Sequence, residues 1–128
     1  MSRHIRNGKG TIRPYIYGPL ALEGFVKTVF GAREIERNDN PGFLHLEMEI
    51  GDSVLTLSMW KTAPPPSATQ ASTYVYVEDA DAVYARALAA GGVSIRAPVD
   101  APYGERTSSV KDAGGNTWFI ATYTGNKS

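Results

Sequence analysis

The sequence predicts an α+β fold in which one β-α-β-β-β unit is written twice. Three observations carry this. Alternating segments rich in β-branched and aromatic residues surround two segments of helical period, in the same order in each half. Thr11 and Gly31 recur as Ser72 and Gly92 at a constant offset of 61 residues. The run Pro64-Pro65-Pro66 separates the halves, and such a run fits neither a sheet interior nor a helix. The halves share little sequence, so the likeness is architectural. Two unrelated α+β layers would satisfy the same element order.

Residues 1–10 are polar and glycine-bearing and read as a flexible lead-in. The first module spans 11–60. Its first strand, 11–17, contains Pro14, which has no amide to donate and marks an unpaired side. Gly18-Pro19 ends that strand. In 20–30, Leu22, Phe25, Val26, Val29 and Phe30 lie on one helical stripe, and Gly31 stands where a C-cap glycine belongs. A polar strand at 33–37, a turn at 38–42, and strands at 43–50 and 53–60 joined at Gly51-Asp52 complete the unit. Residues 61–70 form a Pro-rich linker. The second module, 71–124, opens with a strand at 71–77. Asp79 is an N-cap for a helix over 80–90, which Gly91-Gly92 ends. Strands at 93–96, 105–111 and 117–123 follow, with a proline-containing loop at 97–104 and a turn at 112–116.

Composition removes several function classes. In 128 residues, thirteen Lys and Arg balance thirteen Asp and Glu, so the broad basic footprint of a nucleic-acid or anionic-membrane binder is missing. There is no cysteine, which excludes disulfides, thiolate nucleophiles, iron–sulfur clusters and cysteine-bound zinc. No apolar run approaches the ~20 residues of a membrane helix, and the first ten residues carry no apolar leader core. A soluble cytoplasmic protein is expected, with no nucleic-acid or membrane partner.

The strand faces divide by chemistry. Ile12 and Ile16, then Leu55, Leu57 and Met59, then Val75 and Val77 share an aliphatic side suited to packing under helices. The opposite side carries Arg13, Tyr15, Tyr17, Thr56, Ser58, Trp60, Ser72, Tyr74, Tyr76 and Phe119. Such a face is too aromatic for ordinary exposure and too polar for a dry core. Ring walls with a few placed polar groups describe a small-molecule pocket.

Several segments, in order and spacing, resemble the vicinal oxygen chelate superfamily, the glyoxalase, bleomycin-resistance and dioxygenase group, and in particular its glyoxalase-like subgroup. They are Arg13-Pro14-Tyr15, Phe30-Gly31-Ala32, Ile50-Gly51-Asp52-Ser53-Val54, the stretch 76–83, Tyr103-Gly104-Glu105-Arg106 and the turn 112–118 ending in Trp118. Asp112 is not followed by the usual proline. The resemblance covers residues 10–124. It implies paired βαβββ modules forming a curved mixed sheet around a cavity, with helices on the outer face and a homodimer as the common assembly. It also implies, for the enzymes, a divalent metal held from the first and fourth strands of each module. Carried over by position, those places fall at Thr11 or Arg13, Thr56, Ser72 and Phe119, none of them a good ligand.

Of the two histidines, His4 lies in the lead-in. His45 shares a strand face with Glu47 and Glu49, an array that could hold a metal and equally describes a solvated or interfacial strand. No nucleophile elbow and no phosphate loop occurs. Arg13, if it faces the cavity, needs an anion: a ligand's, or an internal carboxylate such as Glu105. Tyr103 and Arg106 read as a loop at the cavity mouth or as a turn held by a salt bridge. The expectation is a binder of a small planar or aromatic molecule, with Arg13, Thr56 and Ser72 orienting it and no cofactor. The alternative is a divalent-metal-dependent lyase, isomerase or dioxygenase that uses His45 and Glu47. An aromatic face serving as a protein interface is the third reading.

Overall fold

The computed structural model describes residues 4–127, with side chains up to residue 125; residues 1–3 of the lead-in lie outside the described residues. The first module consists of β1 (Tyr15–Pro19), α1 (Ala21–Phe30), β2 (Arg33–Asn40), β3 (Phe43–Ile50) and β4 (Ser53–Trp60). The second consists of β5 (Ser72–Tyr76), α2 (Ala80–Ala89), β6 (Val93–Ala101), β7 (Tyr103–Lys111) and β8 (Thr117–Lys127). Each module is a four-stranded mixed sheet, in the orders β1-β4-β3-β2 and β5-β8-β7-β6. In both, the first strand runs parallel to the fourth and the other pairs are antiparallel. The predicted α+β architecture of two βαβββ modules is therefore present, and the sheets do not close into a barrel.

The helices form where the sequence stripe requires. Leu22, Phe25, Val26 and Val29 of α1 are buried, and Gly31 takes the left-handed conformation (φ 66°). That conformation brings the amides of Gly31 and Ala32 onto the carbonyls of Lys27 and Val26. The Asp79 carboxylate accepts from the Ala82 amide at 3.1 Å and starts α2.

Some boundaries differ from expectation for stated reasons. The Pro14 carbonyl accepts from the Thr56 amide, but Pro14 has no amide to return, so the β1 ladder begins at Tyr15 rather than Thr11. Strand β6 continues through bulges to Ala101 and takes in much of the expected loop 97–104. It is an edge strand, where Pro98 is tolerated. The expected flexible lead-in lies against the first sheet: Arg6 pairs with Glu36 and Lys9 with Glu49.

The core sits between the aliphatic sheet faces and the helices. Its centre is Trp118, fully buried, with ring centroids 6.3 Å from Phe25 and 5.1 Å from Phe30 of the other module. The indole Nε1–H donates to Asp112 at 2.8 Å. The turn that supplies Trp118 also ties the modules together. Asn116 Nδ2 donates to the Tyr17 carbonyl of the first module at 2.7 Å, while its Oδ1 accepts from the Ala71 amide at 2.9 Å within the second. Arg86 of α2 donates twice to the Val29 carbonyl at the end of α1, in effect capping it.

Candidate functional site

The polar faces of the two sheets carry two distinct clusters. On the first sheet, cross-strand register sets Tyr15 beside Thr56 and Thr56 beside Glu47. The same register sets Tyr17 beside Ser58 and Ser58 beside His45. Glu47 is the centre of this face and is buried. One carboxylate oxygen accepts from Arg13 Nη1 at 2.8 Å and from the Thr56 hydroxyl at 2.7 Å, while the other lies 2.8 Å from His45 Nε2. Burial by itself would raise the Glu47 carboxyl. Hydrogen bonds from Thr56, His45 and Arg13 outweigh it and hold the group below the usual carboxylate range.

Arg13 thus makes the internal ion pair, and its partner is Glu47, not Glu105. The remainder of its guanidinium donates to the carbonyls of Arg6, Lys9 and Gly10, which fastens the lead-in over the sheet. Together Arg13, Tyr15, His45, Glu47 and Thr56 floor a recess of about 440 Å³ that the lead-in partly roofs.

On the second sheet the organising group is Glu105, also buried. Its two oxygens accept short hydrogen bonds from the hydroxyls of Tyr74 and Tyr76. Burial first, then the bond to Glu105, pushes the Tyr74 phenol well above the ordinary tyrosine value. Tyr76 is raised as well, chiefly by its bond to the same carboxylate. The phenols therefore remain protonated donors at neutral pH. Tyr74 stacks on Phe119 (5.6 Å, 20°) and leans on Tyr76 (5.4 Å).

Beside this ring wall, between the two modules, lies a hollow of about 1110 Å³. Pro14 and Phe30 wall it from the first module, and Tyr74, Tyr76, Trp118 and Tyr123 from the second.

The ten expected ligand residues are therefore distributed. Arg13, Tyr15 and Thr56 share the smaller recess, and Tyr74 and Tyr76 line the larger hollow. Tyr17, Ser58 and Phe119 stand beside these groups on the same sheets, with Tyr17 5.2 Å from Tyr15. Trp60 lies at the end of β4 opposite Phe43 and Pro19, and Ser72 at the exposed start of β5. Arg106 makes the salt bridge of the turn reading, to Asp81 at 3.0 Å and to Asp100 at 3.4 Å.

Sequence reasoning did not select Tyr123, which lines the hollow, or Glu105, which holds the ring wall beside it. The alternation Glu105, Thr107, Ser109 along one side of β7 was the available signal for Glu105.

At the places where the resemblance implies a divalent cation, the side chains present do not make a ligand set. Arg13 brings a guanidinium, Thr56 directs its hydroxyl to Glu47, and Phe119 has no donor atom. His45 and Glu47 bond each other, and no group of three or more His, Cys, Asp or Glu side chains suited to a metal converges among the described residues. No helix among them is long and apolar enough to cross a membrane.

Comparison with known proteins agrees with this architecture. The sequence profile of the Glyoxalase/Bleomycin resistance protein/Dioxygenase superfamily matches residues 23–120. A search of curated proteins finds no match. Among solved structures, a glyoxalase/bleomycin resistance protein/dioxygenase family enzyme from Burkholderia phytofirmans PsJN superposes with a TM-score of 0.68 at 21% identity, covering 90% of this chain and 99% of that one. Lactoylglutathione lyase from Agrobacterium tumefaciens gives 0.64 at 20% identity, covering 90% and 95%. The fosfomycin resistance protein FosX from Listeria monocytogenes gives 0.68 at 12% identity, covering 91% and 94%. At these identities the likeness is one of fold.

Proposed function

This chain belongs to the Glyoxalase/Bleomycin resistance protein/Dioxygenase superfamily, and within it we propose that it is a binder of a small, flat, largely apolar molecule that uses no metal. The observation that carries this is the set of rings, Tyr74, Tyr76 and Tyr123, that line a hollow of about 1110 Å³, large enough for a drug-sized ligand. Burying the flat faces of a ligand there yields roughly 25 cal/mol per Å² of apolar surface, with stacking adding about 1 kcal/mol for each ring pair. Glu47 supports the metal-free reading, because its oxygens are already engaged by Arg13, Thr56 and His45. The protein would act as a cytoplasmic homodimer, the partner covering rings outside the hollow that are half exposed in a single chain, such as Tyr15 and Phe43.

Elemental analysis of untagged protein, followed by titration of chelator-treated protein with flat aromatic compounds, tests this. Saturable uptake without stoichiometric metal is expected, with sedimentation at the mass of a dimer. One tightly held divalent ion per chain on which uptake or turnover depends would overturn the proposal in favour of a metal-dependent lyase, isomerase or dioxygenase.

A further inference from the structure

The buried carboxylates among the described residues are met in three different ways: by a cation, by a full set of neutral N–H donors, and by two phenols alone. Glu47 faces the Arg13 guanidinium, as the half-buried Glu49 beside it faces Lys9 and Arg33. Asp112 is enclosed by N–H donors from Gly114, Asn116 and Trp118. Glu105, only 8% exposed, is met among the described residues by two phenols and by no basic side chain.

Two neutral donors leave lone pairs on the carboxylate free, and no basic side chain among the described residues pairs with it. The nearest arginine in sequence, Arg106, is turned to Asp81 and Asp100.

What surrounds Glu105 is aromatic. Tyr74, Tyr76 and Phe119 form the wall, Tyr123 stands opposite Glu105 in the β7–β8 register, and Tyr103 lies near the Tyr74 hydroxyl. Tyr76 and Tyr123 are 61% and 64% exposed, so their ring faces are open to a ligand. An aromatic face carries partial negative charge, and a phenol that donates to a carboxylate is polarised further in the same sense. A buried anion framed by open ring faces attracts positive charge by both routes.

We propose that this face of the second sheet selects a flat organic cation, an aromatic ring system bearing a fixed positive charge, seated on Tyr76 and Tyr123 with its charge toward Glu105. The inference rests on the small-molecule reading above and names the ligand class that reading leaves open.

The probes are N-methylquinolinium and its uncharged isostere methylnaphthalene, titrated into the full chain with ligand proton NMR shifts as the readout. The cation should bind about tenfold more tightly than the isostere. Glu105→Gln, which keeps the shape but exchanges one acceptor oxygen and the charge for an amide, should remove that preference. Tyr123→Leu, at an exposed ring, should weaken the cation several-fold with the thermal melt unmoved. Equal affinity for the two probes, or a preference that survives in E105Q, would overturn the charge selection and leave the binder reading in place. Saturation by neither probe would remove the binder reading itself.

Discussion

Arg13 Nη1 lies 2.8 Å from Glu47 Oε1 across 34 residues of chain, with the two side chains only 14% and 5% exposed. This one ion pair joins the lead-in to the middle of the first sheet. Removing one partner leaves an uncompensated buried charge, which typically costs 3–5 kcal/mol. Arg13→Met should therefore lower the unfolding free energy by about 3 kcal/mol. The double variant Arg13→Met, Glu47→Leu should recover much of the loss. Urea denaturation of the four proteins checks the cycle, and additive losses would remove the pairing.

The same carboxylate sets an acid limit. Glu47 is held below its ordinary value of 4.5 in the folded protein, so the folded state binds its proton less readily than the unfolded chain. Its contribution is complete above the unfolded value and is lost as the pH falls through the folded one. The wild-type melting temperature should drop steeply below about pH 4.5. Glu47→Gln, less stable at neutral pH, should show a shallower acid slope. Parallel slopes in scanning calorimetry would contradict this.

At the alkaline end the sign is the opposite. Tyr74 is raised well above the ordinary tyrosine value by burial and by Glu105, so its stabilisation is full at neutral pH and fades as the pH climbs through the folded value. Tyrosinate absorbance should show the Tyr74–Tyr76 pair as a separate late phase. Glu105→Gln should shift that late phase downward. A single transition for all seven tyrosines, unchanged in the variant, would dismiss the arrangement.

Gly114 tests the seam between the modules. A Cβ placed there would come within 2.9 Å of the Tyr17 carbonyl oxygen and 3.0 Å of the Gly18 Cα, both backbone atoms with little freedom to move. Gly114→Ala should destabilise the fold by about 1–3 kcal/mol and alter the near-ultraviolet signal of Trp118. A melt and spectrum indistinguishable from wild type would show that the modules are not in close register here.

The features legible in the sequence were local ones. The stripe in 20–30, the Gly31 cap and the Asp79 cap each rest on residues a few positions apart, the repeated strand order is a succession of such local patterns, and each appears in the structure. Identification of the superfamily from spaced segments likewise needed only order and separation. What escaped was long-range. Arg13 could be read as needing an anion, but nothing near it in sequence says that the anion sits on β3. The lead-in looked loose because its anchors, Glu36 and Glu49, belong to strands of the same sheet met later in the chain. The polar-face residues were correctly seen to alternate, yet period-two alternation cannot say that two sheets divide them between a recess and a separate hollow.

Asn116 has one further consequence. Its amide nitrogen grips the Tyr17 carbonyl across the seam, while Trp118, two residues on, is lodged among the phenylalanines of α1. Covalent continuity through the exposed prolines adds nothing to those grips. A protease that nicks residues 61–70 should leave two fragments that still travel together on a sizing column and part only in denaturant.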